Sequence, residues 1–155
     1  MKLDDDLLVR SCGECSACCT ALKVPELGKG EREPCVHAKQ IVGTRRCLVY
    51  ENRPDSCRKF RCAWLDGVGP VAARPDKTDI ILVLTESKFG PTVQAFEMRD
   101  NAHLRPTNAE VIERLVRKGI VVVIFKTDGT RRLLGPPSVV AKIQAMVKAQ
   151  EPIDE

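Results

Sequence analysis

Residues 12–19 read CGECSACC, so Cys12, Cys15, Cys18 and Cys19 occupy four of eight consecutive positions. Cys35, Cys47, Cys57 and Cys62 follow before mid-chain, and no cysteine lies beyond them. Thiols confined to one end of a chain signal either disulfides or metal ligands, and the compartment decides between the two. The opening MKLDDDLLVR puts an acidic triplet where an export signal needs a basic start followed by an apolar run. The longest apolar runs, IILVL at 80–84 and IVVVIF at 120–125, fall well short of the roughly 20 residues that span a bilayer. A cytoplasmic chain with no membrane partner is expected, and reducing conditions there favour metal ligation over disulfides.

Working outward from the cluster, residues 1–65 carry few apolar side chains and no sustained period, with Gly, Pro and charge spread through KVPELGKGEREPC and VYENRPDSC. Such a segment buries too little surface to fold unaided, so bound metal is expected to be part of its fold. The octet itself reads as a loop or as one short helix. At about 100° per residue a helix gathers all four thiols within a sector of roughly 120°. The formal charge of +4 counts every cysteine as neutral. Metal-bound cysteine is thiolate, so two four-cysteine sites of core charge +2 bring the sum to zero, and one brings it to +2. The basic balance therefore reads as local compensation, and nucleic acid is not an expected partner, the more so with few aromatics to stack on bases. An unidentified protein partner stays open.

DGVGPVAARPDKT, 66–78, reads as a joint rich in Gly and Pro. Beyond it, over 79–150, IILVLTE (80–86) and TVQAFEMR (92–99) are expected to pair as a hairpin around FGP. TNAEVIERLVRKG predicts an amphipathic helix with Thr107 and Glu110 as a capping box, Val111, Ile112, Leu115 and Val116 as its apolar stripe and Gly119 as its C-terminal cap. IVVVIFKT (120–127) and TRRLL (130–134) predict a second hairpin with Asp128-Gly129 as a two-residue turn. SVVAKIQAMVKAQ closes the chain as a helix with Val140, Ile143, Met146 and Val147 inward. The expected class is α+β: a small, irregular, metal-organised cysteine-rich half, then a two-layer ββαββα unit whose hairpins are covered on one face by two helices. That unit holds no clustered catalytic residues and reads as scaffold or partner surface. His103, alone in a loop, is expected to be solvated.

All eight cysteines, Cys12, Cys15, Cys18, Cys19, Cys35, Cys47, Cys57 and Cys62, are candidate metal ligands, and no catalytic residue is assigned. Cys12, Cys15 and Cys18 have the C-x2-C-x2-C spacing that places three thiolates on three irons of a [4Fe–4S] cube, with a fourth from a remote cysteine. Cys12 and Cys15 equally form the knuckle that supplies half of a tetrahedral zinc site. Both need soft, deprotonated sulfur, so spacing alone does not separate them. His37, at C-x-H from Cys35, can replace one thiolate of a zinc site, although eight thiols fill two sites without it. Arg45, Arg46, Arg53, Arg58, Lys59 and Arg61 crowd the later cysteines as a solvated basic face or as compensation for thiolate charge. A thioredoxin-like pair lacks the βαβ context it needs, and a nucleophilic cysteine lacks a recognisable base.

The octet together with CLVYENRPDSCRKFRCAW resembles the CxxCxxCC cysteine-cluster proteins, the YkgJ-like family described as a zinc- or iron-chelating domain. The family's C-x-x-Y-x-x-R-P-x-x-C-R-x-F-x-C segment matches here at Cys47, Tyr50, Arg53, Pro54, Cys57, Arg58, Phe60 and Cys62. The match covers about the first 65 residues and says little about the rest. It implies metal binding through these cysteines. The family is often labelled an iron–sulfur oxidoreductase without an assigned reaction, and a related cluster in flagellin lysine methylases implies an iron–sulfur cofactor. The expectation is a metal-binding protein with an iron–sulfur cluster favoured and Zn2+ the alternative. An oxidoreductase or modification-enzyme component, and a zinc-organised module that binds protein or nucleic acid, are the other readings. Pro54 is expected to fix a turn presenting Cys57, with Phe60 and Trp64 shielding the site.

Overall fold

The computed structural model describes residues 10–13, 15–41 and 44–150, with side chains 39–46 and that of Gln150 outside the description. Its elements run α1 (Ala17–Ala21), β1 (Ala38–Ile41), β2 (Thr44–Cys47), α2 (Asp55–Lys59), α3 (Pro75–Thr78), β3 (Ile80–Ser87), β4 (Gly90–Glu97), α4 (Pro106–Arg117), β5 (Val121–Phe125), β6 (Arg131–Leu134) and α5 (Pro137–Gln150). The class is α+β, with one mixed four-stranded sheet in the order β3-β4-β5-β6 and a separate β1-β2 ribbon. Among the described residues no helix is long and apolar enough to cross a membrane.

The two expected hairpins are not independent. β3 and β4 pair antiparallel, as do β5 and β6, but β4 and β5 run parallel, with Val93 opposite Val122 and Ala95 opposite Ile124. Parallel neighbours need a long crossover, and α4 supplies it. Its apolar stripe, Val111, Ile112 and Leu115, packs with Ile80, Val93, Ala95, Val122 and Ile124 on one face of the sheet. Gly119 sits at φ +84°, where a side chain is strained. Gly119 N donates to Val116 O at 2.9 Å and Ile120 N to Leu115 O at 3.1 Å, the paired bonds that close a helix on a left-handed residue.

Four expectations change in detail. α4 starts at Pro106 with Arg105 at its N-cap and no side-chain cap. Proline at the first position starts the helix one residue before Thr107, so the capping box does not form. β5 ends at Phe125, and residues 126–130 form a longer connection in which Gly129 N donates to Lys126 O at 3.1 Å. The side chain of Asp128 accepts from Thr130 N at 2.8 Å, a local bond that competes with the ladder. α5 adds nothing to either core cluster among the described residues, and its Val147 is 54% exposed rather than inward.

The largest change concerns the face opposite α4. Ile81, Val83, Phe96 and Phe125 point there by strand alternation, and they pack with Ala21, Leu22, Phe60, Cys62 and Trp64. Phe96 and Phe125 stack with ring centroids 4.6 Å apart. The cysteine-rich half thus covers the second face, where two helices on one face were expected. Within residues 66–78, Val68 packs on the first core cluster and Ala73 on the second. Arginines bind the halves together. Arg32 Nη2 donates to Phe125 O and Lys126 O, both at 2.8 Å, and Nη1 donates to Glu97 O. Arg10 donates to Trp64 O at 2.9 Å and Gly69 O at 2.8 Å while lying over the Trp64 ring.

Candidate metal centre

The octet forms a turn and then a short helix. Cys15 N donates to Cys12 O at 2.7 Å and Cys19 N to Ser16 O at 3.0 Å, with Gly13 at φ +51° between the first two cysteines. Only Cys18 and Cys19 lie in α1, so the thiols are gathered by a turn feeding one helical turn rather than by a continuous helix. Cys35 is brought alongside by its N–H donating to Cys19 O at 3.0 Å. Cys47 ends β2 opposite Ala38, and Leu48 N donates to His37 O at 2.8 Å, which holds the ribbon's open end beside Cys35. Pro54 precedes α2 at its N-cap, and Cys57 lies within that helix. The helix is anchored to the first half by Glu26, which accepts from Ser56 N at 3.0 Å and Ser56 Oγ at 2.6 Å.

The result is a cavity of about 250 Å³ lined by seven of the eight cysteines, Cys12, Cys15, Cys18, Cys19, Cys35, Cys47 and Cys57. His37, Arg53 and Phe60 also face it. Cys62 does not line it. It is 7% exposed and packs in the core against the sheet, although its thiol still acts on that of Cys12. Trp64 is core as well, with its indole N–H donating to Pro70 O and Val71 O, each at 3.2 Å. Of the two aromatics expected to shield the site, Phe60 does line it. All eight cysteines are free thiols. Among the described residues no three His, Cys, Asp or Glu side chains are drawn tightly enough to hold one metal ion. A tetrahedral zinc site needs four donors about 2.0–2.3 Å from one centre, whereas a cube takes one thiolate at each separated iron.

Electrostatics follow from burial and neighbours. Burial pushes the Cys12, Cys47 and Cys57 thiols up, and it lifts Cys15 to about 11. Cys18 is raised first by its hydrogen bond to Cys19 and then by burial. The same bond lowers Cys19 to about 7, helped by Lys29. The bond thus favours ionisation of Cys19, with the Cys18 thiol as its donor. Lys29 is itself lowered, chiefly by burial, with Cys35, Cys19, Glu33 and Cys18 acting in the opposite sense.

Arg53 lies 3.8 Å over the Tyr50 ring, and Arg58 donates to Arg53 O at 3.3 Å. Arg61 pairs with Asp66 at 2.9 Å and also acts on the Cys12 thiol. The side chains of Arg45 and Arg46 lie outside the described residues.

His103 overturns its sequence expectation. It is 4% exposed and pairs through Nδ1 with Glu97, which is fully buried at the end of β4. Its backbone N–H donates to the same carboxylate oxygen at 2.9 Å. The signal available was the alternation of β4, which places Glu97 on the face that holds Val93 and Ala95, where a carboxylate needs a partner. No family model, no curated protein and no solved structure matches this chain.

Proposed function

We propose that the chain is a metal-binding protein of the cysteine-cluster kind, holding an iron–sulfur cluster, in preference to zinc, in the thiol-lined cavity. One observation carries the reading: seven cysteines scattered over residues 12–57 line one cavity of about 250 Å³. Cysteines that were merely small apolar residues have no reason to face a common space. The donor set fits a soft metal, being all sulfur with one imidazole beside it. The resemblance of the octet and of the Cys47–Cys62 segment to the cysteine-cluster proteins supports a cluster over a single ion. When bound, such a cluster accepts and releases single electrons.

The chain's own residues would hold it and keep it dry. Cys12, Cys15 and Cys18 supply the three closely spaced thiolates, and Cys35, Cys47 and Cys57 are the nearest sources of a fourth. Phe60 limits water. Metal then organises the cysteine-rich half together with the core it shares with the sheet through Ala21, Cys62 and Trp64, and a cytoplasmic setting, where thiols stay reduced, is part of the proposal. The test is anaerobic purification with iron, sulfide and zinc measured per chain, for the native chain and for Cys15→Ser and Cys57→Ser. Stoichiometric metal in the native chain and its loss in both variants is the expected result. Unchanged metal in both variants overturns the ligand assignment, and zinc without sulfide overturns the cluster.

A further inference from the structure

A four-thiolate centre with a core of charge +2 carries a net charge of −2, whether the core is Zn2+ or an oxidised [4Fe–4S] cube. Two buried negative charges are costly unless cations stand close by. Two basic side chains answer to this, and neither has a carboxylate in contact among the described residues.

Lys29 is 7% exposed. Its ammonium donates to Leu22 O, to Gly30 O at 3.1 Å and to Thr20 O at 3.4 Å. All three acceptors are neutral carbonyls, and Thr20 and Leu22 immediately follow Cys18 and Cys19. The short bridge of Val24 with Lys29 fixes the backbone there, with Val24 N donating to Lys29 O at 3.0 Å. A lysine buried in this way normally shifts toward its neutral form or finds an anion. The anionic groups that act on it are the thiolates of Cys35, Cys19 and Cys18 and the carboxylate of Glu33, which is engaged by Gly30 N at 2.9 Å. Arg53 lines the thiol cavity directly. Its Nε is buried with no hydrogen-bond partner among the described residues, although its guanidinium is held in place on Tyr50. An orphaned guanidinium N–H beside Cys12 and Cys47 lacks only an acceptor.

We propose that Lys29 and Arg53 are the paired counter-ions of a dianionic four-thiolate centre in this cavity. This rests on the metal-binding reading above and adds to it the charge of the filled site and the two residues that neutralise it. Glu26, Asp76 and Glu33 are carboxylates that act on the thiols or on Lys29. Glu26 is committed to Ser56, Asp76 to Arg74 at 2.6 Å, and Glu33 accepts from Gly30 N at 2.9 Å, with no ion pair to Lys29 or Arg53 among the described residues.

The test uses Co2+ as probe, added anaerobically to the metal-free full-length chain. Cobalt–thiolate absorption reports sulfur ligation, and its titration reports affinity. Arg53→Gln and Lys29→Gln are each expected to weaken Co2+ binding about tenfold, on the scale of removing one nearby charge, with the absorption per bound cobalt unchanged. Arg53→Lys and Lys29→Arg are expected to restore most of the affinity. Co2+ affinity within twofold of the native chain in either glutamine variant removes that residue from the pair. Equal losses in the charge-keeping variants would show that shape rather than charge matters, and would overturn the proposal. Absence of cobalt–thiolate absorption from the native chain, together with no iron or sulfide taken up on anaerobic reconstitution with ferrous iron and sulfide, would overturn the metal-binding reading itself. Circular dichroism of the metal-free variants shows whether Lys29→Gln folds; if it does not, the Arg53 variants decide alone.

Discussion

Cys62 stands apart from the other seven cysteines at the scale of one residue. Eight thiols at one end of the chain suggested eight ligands, yet Cys62 is packed among Ala21, Trp64, Ile81 and Phe96 while the other seven face a common cavity. Nothing in C-R-K-F-R-C distinguishes Cys57 from Cys62, because the distinction lies in which of them the chain turns toward the sheet. Cys62→Ala is therefore expected to lower stability while leaving more metal bound than Cys57→Ser does. Metal analysis and urea denaturation of the two variants check this. His103 errs in the opposite direction: loop position suggested solvent, and Glu97 holds it in the core. His103→Ala strands a fully buried carboxylate, and a loss of about 3 kcal/mol is expected by urea denaturation, the size typical of breaking one side of a buried pair.

At the scale of elements, local signals read well where one residue type decides the geometry. Gly119 ends α4 as its position predicts, and the apolar stripe of that helix is the one that packs. Gly119→Ala is expected to cost about 1 kcal/mol, since φ +84° penalises any side chain, with a shift in thermal midpoint as the check. Strand pairing was less legible. IILVLTE, TVQAFEMR, IVVVIFKT and TRRLL were recognisable as strands, but nothing local says that β4 and β5 lie side by side and parallel. That choice rests on α4 crossing from one to the other over a shared core. The apolar runs themselves held the missing clue, since strands apolar on both faces need both faces covered.

The whole molecule is held together by that second face. Among the described residues the cysteine-rich half has no core cluster separate from the sheet: its Ala21, Cys62 and Trp64 pack with Ile81, Phe96 and Phe125, a contact between residues far apart in sequence. Phe96→Ala should remove about 3–5 kcal/mol and expose residues 10–65 to protease first. The thiols also give the metal-free chain a characteristic pH dependence. Cys19, held near 7, adds stability as pH rises from there toward the ordinary thiol value of 9.0. The raised thiols, with Cys15 at about 11, add stability below 9.0 that is lost as pH climbs toward 11. Their combined contribution should peak near pH 9 in urea midpoints of the metal-free chain and flatten once metal fills the site, because bound thiolates no longer titrate.

The most direct test is X-ray absorption at the metal edge of protein purified anaerobically. The account predicts iron with a sulfur shell near 2.3 Å and a second shell from neighbouring irons; a sulfur-only shell without metal neighbours would leave thiolate ligation standing and remove the cluster. A chain that carries no metal, or metal bound only by oxygen and nitrogen, would contradict the claim that this cavity is a thiolate metal centre.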